Sequence, residues 1–281
     1  MSAGHDPRPI GVFDSGLGGL TAVRELFRRL PNETVVYFGD TARLPYGNKS
    51  GTTVTRFSLE IAHFLERHDV KCLLVACNTS SSYALDALRS RLAVPVVGVI
   101  EPGARAALEA SPHRRIGVIG TLGTVGSGAY SRAIESIAPG TTVLQRACPL
   151  FVPLIEEGWT RHDATRAIAT EYLAELRAGG LESLILGCTH YPLIAPLLAE
   201  LMGPGVRLVD SGAEAARAVE RLLADRGALA PAGAPQHRFF LSDEPRNFRK
   251  VAEAFLEREL PPVSVVDQTD LPWYERVPDP R

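Results

Sequence analysis

IGVFDSGLGGLT occupies residues 10–21, and 106 residues later the chain reads IGVIGTLGTVGS at 116–127. A second pair keeps nearly the same spacing: LLVAC at 73–77 is answered, 111 residues on, by LILGC at 184–188. Each stretch opens on Val, Ile and Leu and closes on turn or polar residues, as a buried strand does where it meets a loop. Ile10 to Phe13, Val35 to Phe38, Cys72 to Ala76 and Val94 to Ile100 read as strands. Helical periodicity lies between them, over Leu20 to Arg29, Thr53 to Arg67 and Ser80 to Arg91. Apolar strands alternating with helices predict an α/β fold whose mostly parallel sheet is covered by helices on both faces. Any two α/β strands look somewhat alike. Here the cysteines also fall in register, so two related α/β units of about a hundred residues are expected. The second unit's last strand ends at Asp210, and the α/β pattern beyond it has no partner in the repeat. Residues 1–98 with 210–281 are therefore assigned to a discontinuous first domain, and 99–209 to a second.

In open parallel sheets ligands bind beyond the carboxyl ends of the strands. Asp14, Cys77 and Cys188 each stand at such an end. If the units face each other, one cysteine flanks either side of a shared cleft.

Composition narrows the function classes. The 281 residues are 45% apolar and 22% charged, with 30 basic against 32 acidic side chains and a net charge of −2. Nothing there favours a nucleic-acid backbone. No apolar run approaches the roughly 18 residues of a membrane helix. MSAGHDPRPI at the start lacks the apolar stretch of a signal peptide, so a cytoplasmic protein is expected. Four cysteines, 72, 77, 148 and 188, do not make a disulfide framework in a reducing compartment.

Cys77 sits in ACNTSSS, where Asn78, Thr79 and Ser80 suit the start of a helix. That helix end is expected to lower the thiol's pKa. Cys188, in GCTHYP, is followed by Thr189 and by His190, an imidazole able to take or return a thiol's proton. A cysteine at a strand end is commonly a small buried apolar residue. Equivalent places in two units, among polar neighbours, make these two functional. Cys72 and Cys148 lack that setting and are read as core and structural. Cys188 and His190 hint at zinc, but no CxxC pair or second nearby His supports a metal. GLGG at 16–19, with Asp40 about twenty residues on, invites a dinucleotide reading. It fails at Thr21, and Asp14 would set a carboxylate against the pyrophosphate. Glu156, in PLIEEGW, reads equally as support for a histidine or thiol across the cleft and as an ordinary exposed glutamate. Tyr46 and Gly47, in ARLPYGNKS, lie in a turn-like loop open to either a structural or a binding role.

Together IGVFDSGLGGLT, YFGDTARLPYGNKS, LLVACNTSS, IGVIGTLGTVGSGAY and LILGCTHYPL resemble the bacterial glutamate racemases of the aspartate/glutamate racemase superfamily. The likeness runs in order along nearly the whole chain, through FFLSDEPRNFRKVAEAFL at 239–256. Ser80 and Gly123 stand where that family usually has Ala, and neither change removes a functional group. The resemblance implies two pseudo-symmetric α/β domains with the active site in the cleft between them, commonly as a homodimer. It implies Cys77 and Cys188 as the catalytic pair, Cys77 deprotonating D-glutamate and Cys188 L-glutamate, assisted by Asp14, Glu156 and His190. It places Asp14, Ser15, Tyr46, Gly47, Asn78, Thr79, Thr189 and His190 around the substrate. The role it carries is supply of D-glutamate for peptidoglycan.

Inversion at a stereocentre needs a proton removed on one face and returned on the other, hence two opposed groups, one thiolate and one thiol. No cofactor is implied, since neither cysteine motif holds a lysine for a Schiff base. An aspartate racemase would keep both cysteines and change the side-chain pocket. A ligand-binding α/β module would bind glutamate without exchanging its α-hydrogen. Relatives activated by a cell-wall precursor carry longer N-terminal extensions. With nine residues before the first strand, no such activation is expected here.

Overall fold

The computed structural model describes residues 5–244, 248–269 and 272–275. Residues 245–247 of the last quoted motif, and the remainder of the 210–281 segment's end, lie outside the described residues.

The first half of the chain alternates β1 (Ile10–Asp14), α1 (Leu20–Arg29), β2 (Val35–Gly39), α2 (Gly51–Glu66), β3 (Cys72–Val75), α3 (Asn78–Tyr83), α4 (Leu85–Arg91) and β4 (Val96–Gly98). Then come α5 (Ile100–Glu109), β5 (Arg115–Gly120), α6 (Leu122–Gly126), α7 (Ala129–Ile137), β6 (Thr142–Ala147) and α8 (Phe151–Glu156). The run continues with α9 (Asp163–Ala178), β7 (Ser183–Gly187), α10 (Ala195–Met202), β8 (Arg207–Asp210) and α11 (Ser211–Asp225). It closes with β9 (Arg238–Leu241), α12 (Phe248–Leu256) and β10 (Val263–Val265).

These strands form two sheets, ordered β10-β9-β2-β1-β3-β4 and β6-β5-β7-β8, and every pairing is parallel. Four strands of the first sheet therefore repeat in the second in the same order, with β1 matching β5 and β3 matching β7. The late strands β9 and β10 join the first sheet through β2. β1, β2, β3 and β7 are buried along their whole length, which is why they read as unbroken apolar runs. One apolar core runs through both units, including Val12 and Leu26 of the first and Ile116 and Leu184 of the second. A separate cluster around Phe13, Phe38, Phe64 and Trp273 fills the other face of the first sheet.

One local expectation is corrected. The helix expected over 80–91 breaks at Ala84, whose φ of −106° leaves it the C-cap of α3 and the N-cap of α4. After Cys188 the chain makes a 3₁₀ turn over Tyr191–Ile194 before α10 begins at Ala195.

Candidate active site

In each sheet the chain crosses from the first strand to one neighbour and later returns on its other side. That reversal opens a crevice at the carboxyl ends of the two central strands. In the first unit the crevice lies beyond β1 and β3, which deliver Ser15 and Cys77. In the second it lies beyond β5 and β7, which deliver Thr121 and Cys188. The two crevices meet in one cavity of about 330 Å³, near the lower end of small-molecule sites.

Ser15, Tyr46, Gly47, Cys77, Asn78 and Thr79 form its wall from one unit, and Glu156, Cys188, Thr189 and His190 from the other. Asp14 alone among the expected residues is not on that wall. It is fully buried behind it, accepting the Gly16 N–H at 3.0 Å and the Thr189 hydroxyl at 3.4 Å. The units come so close here that glycine is required. A Cβ on Gly18 would stand 2.2 Å from Thr189 Oγ1 and 2.5 Å from His190 Nδ1.

Cys77 is the N-cap of α3, its sulfur accepting the Ser80 N–H at 3.4 Å and its thiol donating to Ser15 Oγ at 3.6 Å. The expected lowering of its pKa is not found. Burial first, and the Asp14 charge second, push the thiol up to about 11, outweighing the helix-end contacts. Opposite, Cys188 Sγ lies 3.9 Å from His190 Nδ1, and His190 Nε2 lies 2.9 Å from Glu156 Oε1. Burial alone would pull His190 down. Its contacts with the Cys188 sulfur and the Glu156 carboxylate prevail and push it up to about 10, so the ring is an imidazolium at neutral pH. Asp14 is raised by burial despite the His190 charge and the N–H groups of Gly16, Gly19 and Ser15. The Glu156 carboxylate thus bonds the imidazole beside Cys188.

The Tyr46–Gly47 loop is held from beneath by Asp40. Asp40 accepts the Tyr46 hydroxyl, Arg43 Nε at 2.7 Å and Ser242 Oγ at 2.9 Å. Across the mouth, Thr79 Oγ1 lies 3.0 Å from Thr121 Oγ1 and 3.2 Å from Thr124 Oγ1, joining the lips of the two units. Among the described residues, no group of three or more His, Cys, Asp or Glu is placed to hold a metal ion.

Over residues 10–219 the sequence matches the Asp/Glu/Hydantoin racemase family. The chain belongs to that family. It is 52% identical to a glutamate racemase of Geobacter metallireducens over 254 residues, covering 90% of this chain and 94% of that one. Among solved structures, it resembles a glutamate racemase isoform from Bacillus anthracis with a TM-score of 0.90 at 38% identity, covering 94% and 99% of the two chains. It resembles the Francisella tularensis glutamate racemase in complex with D-glutamate with a TM-score of 0.88 at 40% identity, covering 93% and 98%.

Within this racemase site, sequence reasoning missed a group of lining residues. Leu44, Pro149, Val152 and Pro153 supply an apolar wall, and Thr121 a hydroxyl. Thr121 had a signal, since it follows β5 as Ser15 follows close on β1. The apolar residues had none, because side chains that line a cavity and side chains that fill a core are alike in sequence.

Proposed function

We propose that the chain interconverts L- and D-glutamate by two-base proton transfer, with Cys77 and Cys188 as the opposed acid/bases and no cofactor. The observation that carries this reading is the placing of the two thiols. Each stands at the end of an equivalent strand, in a different unit, on the wall of one small cavity. A thiolate on one side takes the α-proton as the C–H bond breaks. The thiol on the other side gives its proton to the opposite face, so one proton is lost and one gained. Cys77 serves as base for D-glutamate and Cys188 for L-glutamate.

The developing carbanion is stabilised by fixed donors, the hydroxyls of Ser15 and Thr79, the Asn78 amide and the His190 imidazolium, held in place before the proton moves. After each turnover the thiol and thiolate have exchanged sides. Glu156 is 35% exposed while His190 is 7% exposed, so the pair links Cys188 to solvent and resets its proton. Tyr46 and Gly47 close the substrate pocket, and Asp14 acts from behind through Thr189 and His190. Domain division at 98 and 210 puts the cavity between the two units, and the working form is a cytoplasmic homodimer supplying D-glutamate for peptidoglycan.

The test is circular dichroism of L-glutamate and of L-aspartate incubated with purified, chelator-treated protein and no added cofactor. The glutamate signal should decay to zero and the aspartate signal persist. Binding without decay would mark a binding module, and activity restored only by a metal ion would end the two-thiol reading.

A further inference from the structure

Behind the cavity wall a chain of buried polar groups ties the two cysteine loops together. Ser211, Asn78 and Tyr130 are 1%, 2% and 0% exposed. Ser211 Oγ lies 2.9 Å from the Leu186 carbonyl, two residues before Cys188. Asn78, next to Cys77, has Nδ2 3.2 Å from Ser211 Oγ, and the Tyr130 hydroxyl lies 2.7 Å from Asn78 Oδ1.

The Leu186 carbonyl can only accept, so the single Ser211 proton goes to it. Ser211 must then accept from Asn78, which puts the NH₂ end of the amide on the Ser211 side. The amide oxygen is left to take the Tyr130 proton. Burial pushes the Tyr130 phenol above its ordinary range, so that proton stays in place. One amide N–H of Asn78, a cavity-lining residue, remains unspent. The Tyr130 ring is itself wedged. A Cβ on Gly187 would stand 3.2 Å from Tyr130 Cε2, and one on Gly103 would stand 3.4 Å from its Cε1.

We propose that Tyr130 is a positioning residue for racemisation, fixing the Asn78 amide in one orientation and, through Ser211, locking the Cys77 loop to the Cys188 strand. This rests on Asn78 being a substrate-binding residue. Tyr130→Phe keeps the ring and removes the proton, so the amide keeps its Ser211 contact but loses the hydrogen bond that holds its oxygen end.

A double-mutant cycle tests it, with kcat and KM measured for both enantiomers of glutamate. Tyr130→Phe should raise KM roughly tenfold in both directions, the scale of one buried hydrogen bond, with a smaller loss in kcat. In an Asn78→Ala background it should change nothing further. A Tyr130→Phe enzyme with unchanged KM, or one that loses as much in the Asn78→Ala background, would overturn the proposal. An Asn78→Ala enzyme with unchanged KM would overturn the substrate-binding role of Asn78, and the proposal with it. Should Tyr130→Phe fail to fold, Ser211→Ala removes the other anchor and completes the same cycle.

Discussion

Replacing Asp14 by Asn measures how strongly one buried acid weighs on another. Cys77 is held at about 11 by burial and, second, by the Asp14 carboxylate. At pH 8 about one thiol in a thousand is then ionised, against about one in ten for a thiol at an ordinary 9.0. A more basic thiolate is also a better nucleophile. A Brønsted slope of about 0.4–0.5 over two units returns roughly six- to tenfold of the hundredfold lost. Alkylation of Cys77 at pH 8 should therefore run about tenfold slower than that of an ordinary thiol and climb tenfold per pH unit until about 11. In a Cys188→Ala background Cys77 is the cavity's one remaining thiol, since Cys72 and Cys148 are buried and each pushed up to about 12. Its reaction with iodoacetamide can be followed by mass spectrometry of the Cys77 peptide across the alkaline range. Adding Asp14→Asn removes a like charge and leaves the burial, so the midpoint should fall below 11 and stay above 9. An unmoved midpoint would refute electrostatic coupling between Asp14 and Cys77. A midpoint below 9 with Asp14 intact would refute the dry surroundings assigned to that thiol.

Three further outcomes are expected. Cys77→Ala and Cys188→Ala should each lose several orders of magnitude in racemisation, as a positioned acid/base contributes about 10²–10⁴-fold. In deuterated water each should keep α-hydrogen exchange with one enantiomer alone, L-glutamate for Cys77→Ala and D-glutamate for Cys188→Ala, and equal exchange of both would defeat the two-face mechanism. Glu156→Gln removes one of the two contacts that hold His190 near 10, so the imidazole's NMR titration should move down and activity fall about tenfold or more. His68, buried with neither ring nitrogen hydrogen-bonded among the described residues, is lowered to about 4, chiefly by burial and then by Arg238. Below pH 6.5 the unfolded chain takes up a proton that the folded one refuses. About 3 kcal/mol of stability should therefore vanish between pH 6.5 and 4, and His68→Phe should flatten that part of the acid melting curve.

Much of this was legible because strand ends announce themselves. An apolar run that stops at Cys77 or Cys188 marks a side chain that reaches a cleft, whereas the one that stops at Asp14 sets its carboxylate behind the wall, and the doubled order of strands brings the two clefts together. What could not be read depends on partners far away in sequence. Asp40 looked like a ribose-binding acid because its distance from GLGG fitted, yet its hydrogen bonds go to Tyr46, Arg43 and Ser242, the last 202 residues away. The helix-end argument for Cys77 was sound as far as local geometry went. It lacked the burial and the Asp14 charge, which only the tertiary structure supplies. Tyr130 and Ser211 carry no local mark at all, since a tyrosine and a serine in amphipathic helices are ordinary residues until their neighbours are known.

The pairing of β2 with β9 sets a timetable for synthesis. Val35, at the start of β2, hydrogen-bonds His237, 202 residues later, so the ribosome must make most of the chain before that side of the first sheet finds its partner. At about 5–20 residues per second, the row of backbone groups along VVYFG waits roughly 10–40 s for its neighbour. A nascent chain in that interval presents an apolar strand with one open edge, the template on which other chains pair and aggregate. Conditions that slow translation through the middle of the message should therefore lower the yield of soluble protein more than conditions that slow its beginning.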